Sequence, residues 1–233
     1  MKLLCLDTSA GSQVALVEGE RVLSQAASNS ARAHAESLTD LIREVCGIAS
    51  GEPLKGAFDA VVVGRGPAPY TGLRAGLITA RVLAKACDVP VYGVSSLEMI
   101  ARAALDELPA ESQVVALADA RRKELYAAQF SALGTDDLQQ IGDFEVDKPA
   151  SLHETLPENV WRVGPGLALY PELENESPVS VPTVPVTVAA RIVNARLANG
   201  RAEELGTEPL YLRRPDVQVS KKVKSTLGDQ AKK

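Results

Sequence analysis

The stretch from Ala60 to Gly76 constrains the fold most. Ala60-Val61-Val62-Val63 is an apolar run without polar alternation, the pattern of a strand buried on both faces. It leads into Gly64-Arg65-Gly66-Pro67-Ala68-Pro69-Tyr70-Thr71-Gly72-Leu73-Arg74-Ala75-Gly76, a glycine- and proline-rich turn, and then into an apolar helical pattern over 72–86. Thr71 stands where a helix N-cap belongs. Strand, glycine turn and helix N-terminus together make a common anion site, because free backbone N–H groups point outward there. Pro67 and Pro69 each remove one such donor, and Arg74 lies in the first turn, where the macrodipole disfavours cations. The loop has the outline of a phosphate site without its donors.

At 233 residues, 45% of them hydrophobic and 24% charged, the chain reads as a soluble globular protein of one large or two small domains. No run approaches a membrane span, and the apolar start Met1-Lys2-Leu3-Leu4-Cys5-Leu6 is stopped by Asp7, too short for a signal peptide. Cys5, Cys46 and Cys87 are isolated in apolar surroundings and read as buried thiols of a cytoplasmic protein. With only His34 and His153, a histidine-rich metal site is excluded. The net charge of −5 is uneven: residues 213–233 carry +5, leaving −10 for residues 1–212. A basic tail on an acidic body reads either as a nucleic-acid or acidic-partner contact or as a solvated terminus.

The order of elements is legible. Lys2–Leu6 predicts a strand, Val14–Glu18 with Arg21–Gln25 a hairpin, and 33–48 a helix carrying Leu38, Leu41, Ile42 and Val45. Strand 60–63, helix 72–86, strand 89–94 and a helix from Ser96 to Leu108 follow, giving β-β-β-α-β-α-β-α. The second half repeats the order with strand 113–118, hairpin 124–130/138–144, a short helix 150–156, strand 160–163, Gly164-Pro165-Gly166 with a short helix to 173, and helix 187–198. Pro109-Ala110-Glu111-Ser112 marks the boundary between domains 1–109 and 110–215, with 216–233 as a basic tail. Two such βββαβα units form the duplicated actin/sugar-kinase/Hsp70-like (RNase H-like) α/β fold, with a cleft between them.

In that fold, two strand turns hold ATP and acidic residues hold Mg²⁺. Here the first turn is Asp7-Thr8-Ser9-Ala10-Gly11, either a phosphate turn or an ordinary β-turn with side-chain bonding. The second is Asp119-Ala120-Arg121-Arg122-Lys123, which has an aspartate but no glycine to bare the backbone. Asp7, Thr8, Ser9, Thr71 and Asp119 are thus candidate vestigial nucleotide-binding residues. His34 has Leu38, not a ligand, four residues on, and His153 has no partner, so no metal site is expected. Ser9 and Thr71 lack a base, so no catalytic residue is assigned.

Helix surfaces remain. Gly72, Gly76, Ala80 and Ala84 recur every fourth residue, a smooth row that either admits a partner helix or packs on the domain's own sheet. Together with His34, Leu38, Leu41, Ile42, Val45 and Leu73 they form the candidate partner interface, and docking onto a similar helix pair would give a four-helix contact.

Leu6-Asp7-Thr8-Ser9, Gly66-Pro67 with Thr71-Gly72-Leu73-Arg74, Gly93-Val94-Ser95-Ser96-Leu97-Glu98 and Asp119-Ala120-Arg121-Arg122-Lys123-Glu124-Leu125-Tyr126 resemble the TsaB (YeaZ) family over residues 1–130. Pro209-Leu210-Tyr211-Leu212-Arg213 is a weaker echo. The resemblance implies a non-catalytic subunit for threonylcarbamoyladenosine formation on tRNA. It implies pairing with a TsaD-like enzyme through the N-terminal helices, a TsaE-like ATPase in the assembly, homodimerisation when alone, and tRNA contacted through the complex. It implies no membrane association and no cofactor on this chain, with ATP and metal on partner subunits. One departure stands out: Ala68-Pro69-Tyr70 occupy the place where the family has Gly-Ser-Phe. An active ATP-dependent small-molecule kinase or a peptidase of the same fold is the alternative.

Overall fold

The computed structural model describes residues 1–28, 34–175 and 179–213, with the side chains of 34–37 left aside. The expected tail at 216–233 lies outside the described residues, as does the His34 side chain. Strand β1 (Lys2–Asp7) lies at the centre of a five-stranded sheet, with β2 (Ser12–Glu18) and β3 (Arg21–Ser28) antiparallel on one side. On the other side β4 (Ala60–Gly64) and β5 (Val91–Val94) run parallel. The crossovers are α1 (His34–Cys46) and α2 (Tyr70–Cys87), and α3 (Ser96–Leu105) follows β5.

The second sheet has the same plan. Its β6 (Gln113–Arg121), β7 (Glu124–Leu133) and β8 (Asp137–Asp147) form the antiparallel part, and β9 (Trp161–Val163) lies parallel to β6. Helix α4 (Pro149–Thr155) takes the place of α1, two 3-10 turns that of α2, and α5 (Val188–Ala198) that of α3. The architecture is the duplicated actin-like α/β fold. No fifth parallel strand closes the second sheet among the described residues, and the helix expected up to Leu173 breaks into the two 3-10 turns. Pro165 and Pro171 lie in that stretch and cannot donate to a helical ladder.

Period-2 alternation decides what each sheet face meets. Leu3, Cys5, Ala60 and Val62 point into one core, while Leu4, Leu6, Val61 and Val63 point into another. The second core is closed by α1 and α2. The first lies between the sheets and contains α3 and α5, which cross over: α3 packs on β6 and β7, and α5 packs on β4 and β5. Each half therefore supplies a helix to the other's sheet. The thiols are free, and burial pushes Cys5 up to about 12 and Cys46 up to about 11, as expected for inert packing groups. No helix among the described residues is long and apolar enough to cross a membrane.

Helix ends differ from the sequence expectation by small shifts with clear causes. α2 begins at Tyr70 with Pro69 at the cap position and no side chain capping it, so Thr71 lies exposed inside the first turn and caps nothing. α3 is capped by Ser95, not Ser96: the Ser95 hydroxyl accepts from the Leu97 N–H, and the Ser95 N–H donates to Glu98 at 2.7 Å. It ends at Leu105 because Leu108 precedes Pro109 and is biased away from helical geometry.

A polar network runs through the helix layer. Arg196 on α5, 3% exposed, donates to Glu98 on α3 at 2.6 Å and to Asp137 on β8 at 3.1 Å. Arg201 reaches the other Asp137 oxygen at 2.8 Å, and Arg102 donates to the Asp137 carbonyl at 2.9 Å. Burial opposes the Arg196 charge, but Glu98 and Asp137 outweigh it and hold its pKa above the ordinary arginine value. Replacing Arg196 by Met strips the buried Glu98 of its cation and leaves Asp137 with Arg201 alone, a loss on the order of 3–5 kcal/mol. Urea denaturation of the R196M protein checks this. A change below about 1 kcal/mol would mean the network contributes little.

Candidate functional site

The candidate site is the cleft where the end of β1, the loop before α2 and the β6–β7 hairpin meet. β1 delivers Asp7 to the N-terminus of α3. Its Oδ1 accepts from the Ser9 N–H at 2.8 Å and from the Ser9 hydroxyl, and its Oδ2 accepts from the Ser96 hydroxyl at 2.6 Å. The group is buried, and desolvation raises its pKa above the ordinary value against the lowering effect of the serine hydrogen bonds. Gly64 is required next to it, because a Cβ there would run into the Asp7 carboxylate.

Asp119, at the end of β6, is also engaged. It accepts from the Arg121 N–H at 2.7 Å and pairs with the Arg121 guanidinium at 3.0 Å. The following turn is unusual. Arg121, Arg122 and Lys123 all have left-handed backbone, with φ of 61°, 55° and 61°. A two-residue hairpin turn with positive φ at both central positions ordinarily calls for Asn-Gly. Side chains there cost on the order of 1–3 kcal/mol each and concentrate where strain serves function.

The structure brings Thr8, Ser9, Thr71 and Asp119 around one pocket of about 330 Å³, with Gly11, Gly72, Arg121 and Pro165. Asp7 does not line it. The glycine-proline loop turns part of its backbone inward, and Pro67 and Pro69 have no N–H to offer a phosphate. Arg65 N–H donates to the Val94 carbonyl, and the Gly66 carbonyl accepts from the Ser95 hydroxyl at 2.8 Å and the Ser96 N–H at 2.8 Å. With both aspartates engaged and one of them buried, the donor set does not fit a Mg²⁺-nucleotide. Among the described residues no cluster of three His, Cys, Asp or Glu could hold a metal ion.

The small-residue row on α2 faces inward. Gly76 lets Thr8 lie against the helix, since a Cβ at 76 would collide with the Thr8 hydroxyl, which donates to the Gly72 carbonyl at 2.8 Å. Ala80, Ala84 and Leu73 are buried in the same core as Leu4 and Val61. Leu38, Leu41, Ile42 and Val45 of α1 lie there too. Of the expected interface these residues pack on the chain's own sheet, and only Gly72 is partly exposed, at the cleft. The surface that α2 turns outward carries Ile78 and Val82, 59% and 62% exposed. Helical spacing alone does not separate an inward stripe from an outward one on a helix with apolar residues on two sides.

Sequence reasoning also missed an aromatic cluster beside the cleft. Tyr70 and Tyr211 stack with ring centroids 5.2 Å apart, and the Arg74 guanidinium lies 3.7 Å from the Tyr70 centroid. Arg74 also donates to the Tyr211 hydroxyl at 3.0 Å. Arg74, read as misplaced against the helix dipole, is held here by two rings. The signal available was the Pro209–Arg213 echo, which returns the chain to this loop.

The Asp7 geometry sets a pH dependence. A folded-state pKa above the unfolded one gives stability that is present below the unfolded value and lost as pH rises through the folded one. Asp7→Asn removes that loss, so its stability relative to the parent should increase as pH rises above the ordinary carboxylate value. Urea midpoints at four pH values test this, and a pH-independent difference contradicts it.

A family model described as TsaD, tRNA N6-adenosine threonylcarbamoyltransferase, matches residues 20–190. The tRNA threonylcarbamoyladenosine biosynthesis protein TsaB of Haemophilus influenzae is 31% identical, over 91% of this chain and 94% of that protein. Its Escherichia coli counterpart is 27% identical, over 91% and 95%. The solved structure of YeaZ from Pseudomonas aeruginosa superposes with a TM-score of 0.70 at 29% identity, over 91% of this chain and 99% of that one. The motifs at 6–9, 66–74, 93–98 and 119–126 all lie in the elements that build the cleft and its supports. The chain belongs to the TsaB (YeaZ) family.

Proposed function

We propose that this chain is a non-catalytic subunit of the machinery that forms threonylcarbamoyladenosine on tRNA, docking and supporting a TsaD-like threonylcarbamoyltransferase together with a TsaE-like ATPase. The observation that carries this reading is the state of the two cleft carboxylates. Asp7 is buried and bonded to Ser9 and Ser96, and Asp119 is paired with Arg121. A phosphotransferase of this architecture needs such groups free for metal and nucleotide, and a supporting subunit does not. The relatives named TsaB bring the tRNA pathway to this reading. The TsaD-type family match suggests a partner of similar architecture, in keeping with pairing between related folds.

The docking surface on this reading is the outer face of α2. Ile78 and Val82 stand exposed one turn apart, flanked by Arg74, Arg81 and Lys85, an apolar centre with a charged rim. α1 next to it presents Thr39, Asp40 and Glu44 outward, so the combined surface joins apolar and acidic stripes. Domains 1–109 and 110–215 then divide the work, the first carrying the docking helices.

Ile78→Glu and Val82→Glu place a charge at exposed positions where folding is little affected, and each should weaken binding to the TsaD-like protein of the same cell by about 30-fold. Titration calorimetry with the purified pair measures it. Unchanged binding by both variants removes α2 from the interface. Deletion of the chain should abolish threonylcarbamoyladenosine in bulk tRNA, whereas Asp7→Asn should retain most of it. ATP-dependent phosphorylation by the isolated chain would sink the supporting-subunit reading.

A further inference from the structure

Next to the cleft lies a second pocket, of about 320 Å³, that the docking surface does not use. Tyr70, Tyr126 and Tyr211 line it together with Arg121, Arg122 and Arg213, and no carboxylate is among its lining residues. Asp119 and Glu124, on the same hairpin, pair with Arg121 and Arg213 at its rim. Arg74 and Lys123 add cations to this region, on a body whose residues 1–212 carry a net −10. The clustering is therefore local and not a reflection of overall charge.

Two features show that the pocket is built in advance. The Arg74–Tyr70–Tyr211 stack fixes the rings while leaving Tyr70 43% and Tyr211 40% exposed. Opposite it, three successive left-handed non-glycine residues present Arg121, Arg122 and Lys123 from a turn where small residues fit best. Exposed aromatic faces beside guanidinium groups suit a nucleobase and its phosphate: every base has a π-face to stack, and a guanidinium plane matches phosphate geometry.

We propose that this pocket takes a nucleotide unit of single-stranded RNA, its base extending the Tyr70–Tyr211 stack and its phosphate against Arg121 and Arg122. The site is distinct from a Mg²⁺-nucleotide site, since it offers no carboxylate for a metal. Arg74 borders both this pocket and the outer face of α2, but the residues varied in the two tests differ, so either assignment can fail without the other.

The test is fluorescence anisotropy of a labelled, unstructured oligouridine heptamer with the full chain at low salt, with AMP as competitor. Tyr211→Ala should weaken binding about 10-fold while Tyr211→Phe leaves it unchanged. Arg122→Gln should weaken it and lower the slope of log K against log salt by about one. Lys55→Gln, on the exposed loop before β4, serves as the charge control and should bind as the parent does. Melting curves check that each variant is folded. Displacement by AMP shows that one nucleotide fills the pocket. Binding of the heptamer without displacement shows that adjoining phosphates contribute, and both outcomes support the assignment. It is overturned if neither probe binds, if Tyr211→Ala binds as the parent does, or if Lys55→Gln costs as much as Arg122→Gln.

Discussion

Arg196 carries a charge into the helix layer between the two sheets, and the arrangement of the halves depends on how that charge is met. Its partners come from distant parts of the chain: Glu98 from the first turn of α3 and Asp137 from the start of β8. Glu98 is shared with the cap of α3, since its second oxygen accepts the Ser95 N–H. One buried group thus links helix capping to the docking of two sheets. A buried ion pair of this kind is weak evidence of added stability over an apolar core, but a misplaced layer would leave charges unpaired at high cost. The pairing specifies how α3 and α5 sit relative to each other.

The exchange of helices follows from the same layer. α3 leaves the first sheet to pack on β6 and β7, and α5 returns to β4 and β5. The loop carrying Gly66 is bonded to Ser95 and Ser96 at the start of α3, while Asp7 is bonded to Ser96. The cleft floor is consequently anchored to the helix layer. The Asp7 carboxylate and the Gly66 carbonyl are engaged in fixing the start of α3, and Asp119 in fixing its own hairpin turn. The same residues that give the family its motifs serve here as structural connections.

Much of this was legible in the sequence. The unbroken apolar runs of β1 and β4 announced strands buried on both faces, and the repeat of element order announced the duplication. The fates of Asp7 and Asp119 were not legible, because their partners, Ser96 and the left-handed Arg121 turn, follow from tertiary approach and backbone strain. The direction of the α2 row was left open for a related reason. Gly72, Gly76, Ala80 and Ala84 share a stripe by spacing, but which way a stripe faces depends on what packs there. Thr8 and the β1–β4 core took that side, leaving Ile78 and Val82 outward. The Tyr70–Tyr211 stack joins residues 70 and 211, a contact that local pattern does not encode.

Hydrophobic periodicity, glycine placement and capping residues determined which segments became strands and helices and that they came in two similar sets. They act over a few residues, and their physics is contained in the local chain. Tertiary structure alone decided which helix covers which sheet, which carboxylates stay available and which apolar face remains open. Those outcomes depend on burial, on charge pairing across about a hundred residues of sequence, and on close approach of backbones at Gly64 and Gly76. The sequence determined the elements and the family, and the packed helix layer decided that Asp7, at the cleft floor, is bonded to Ser96.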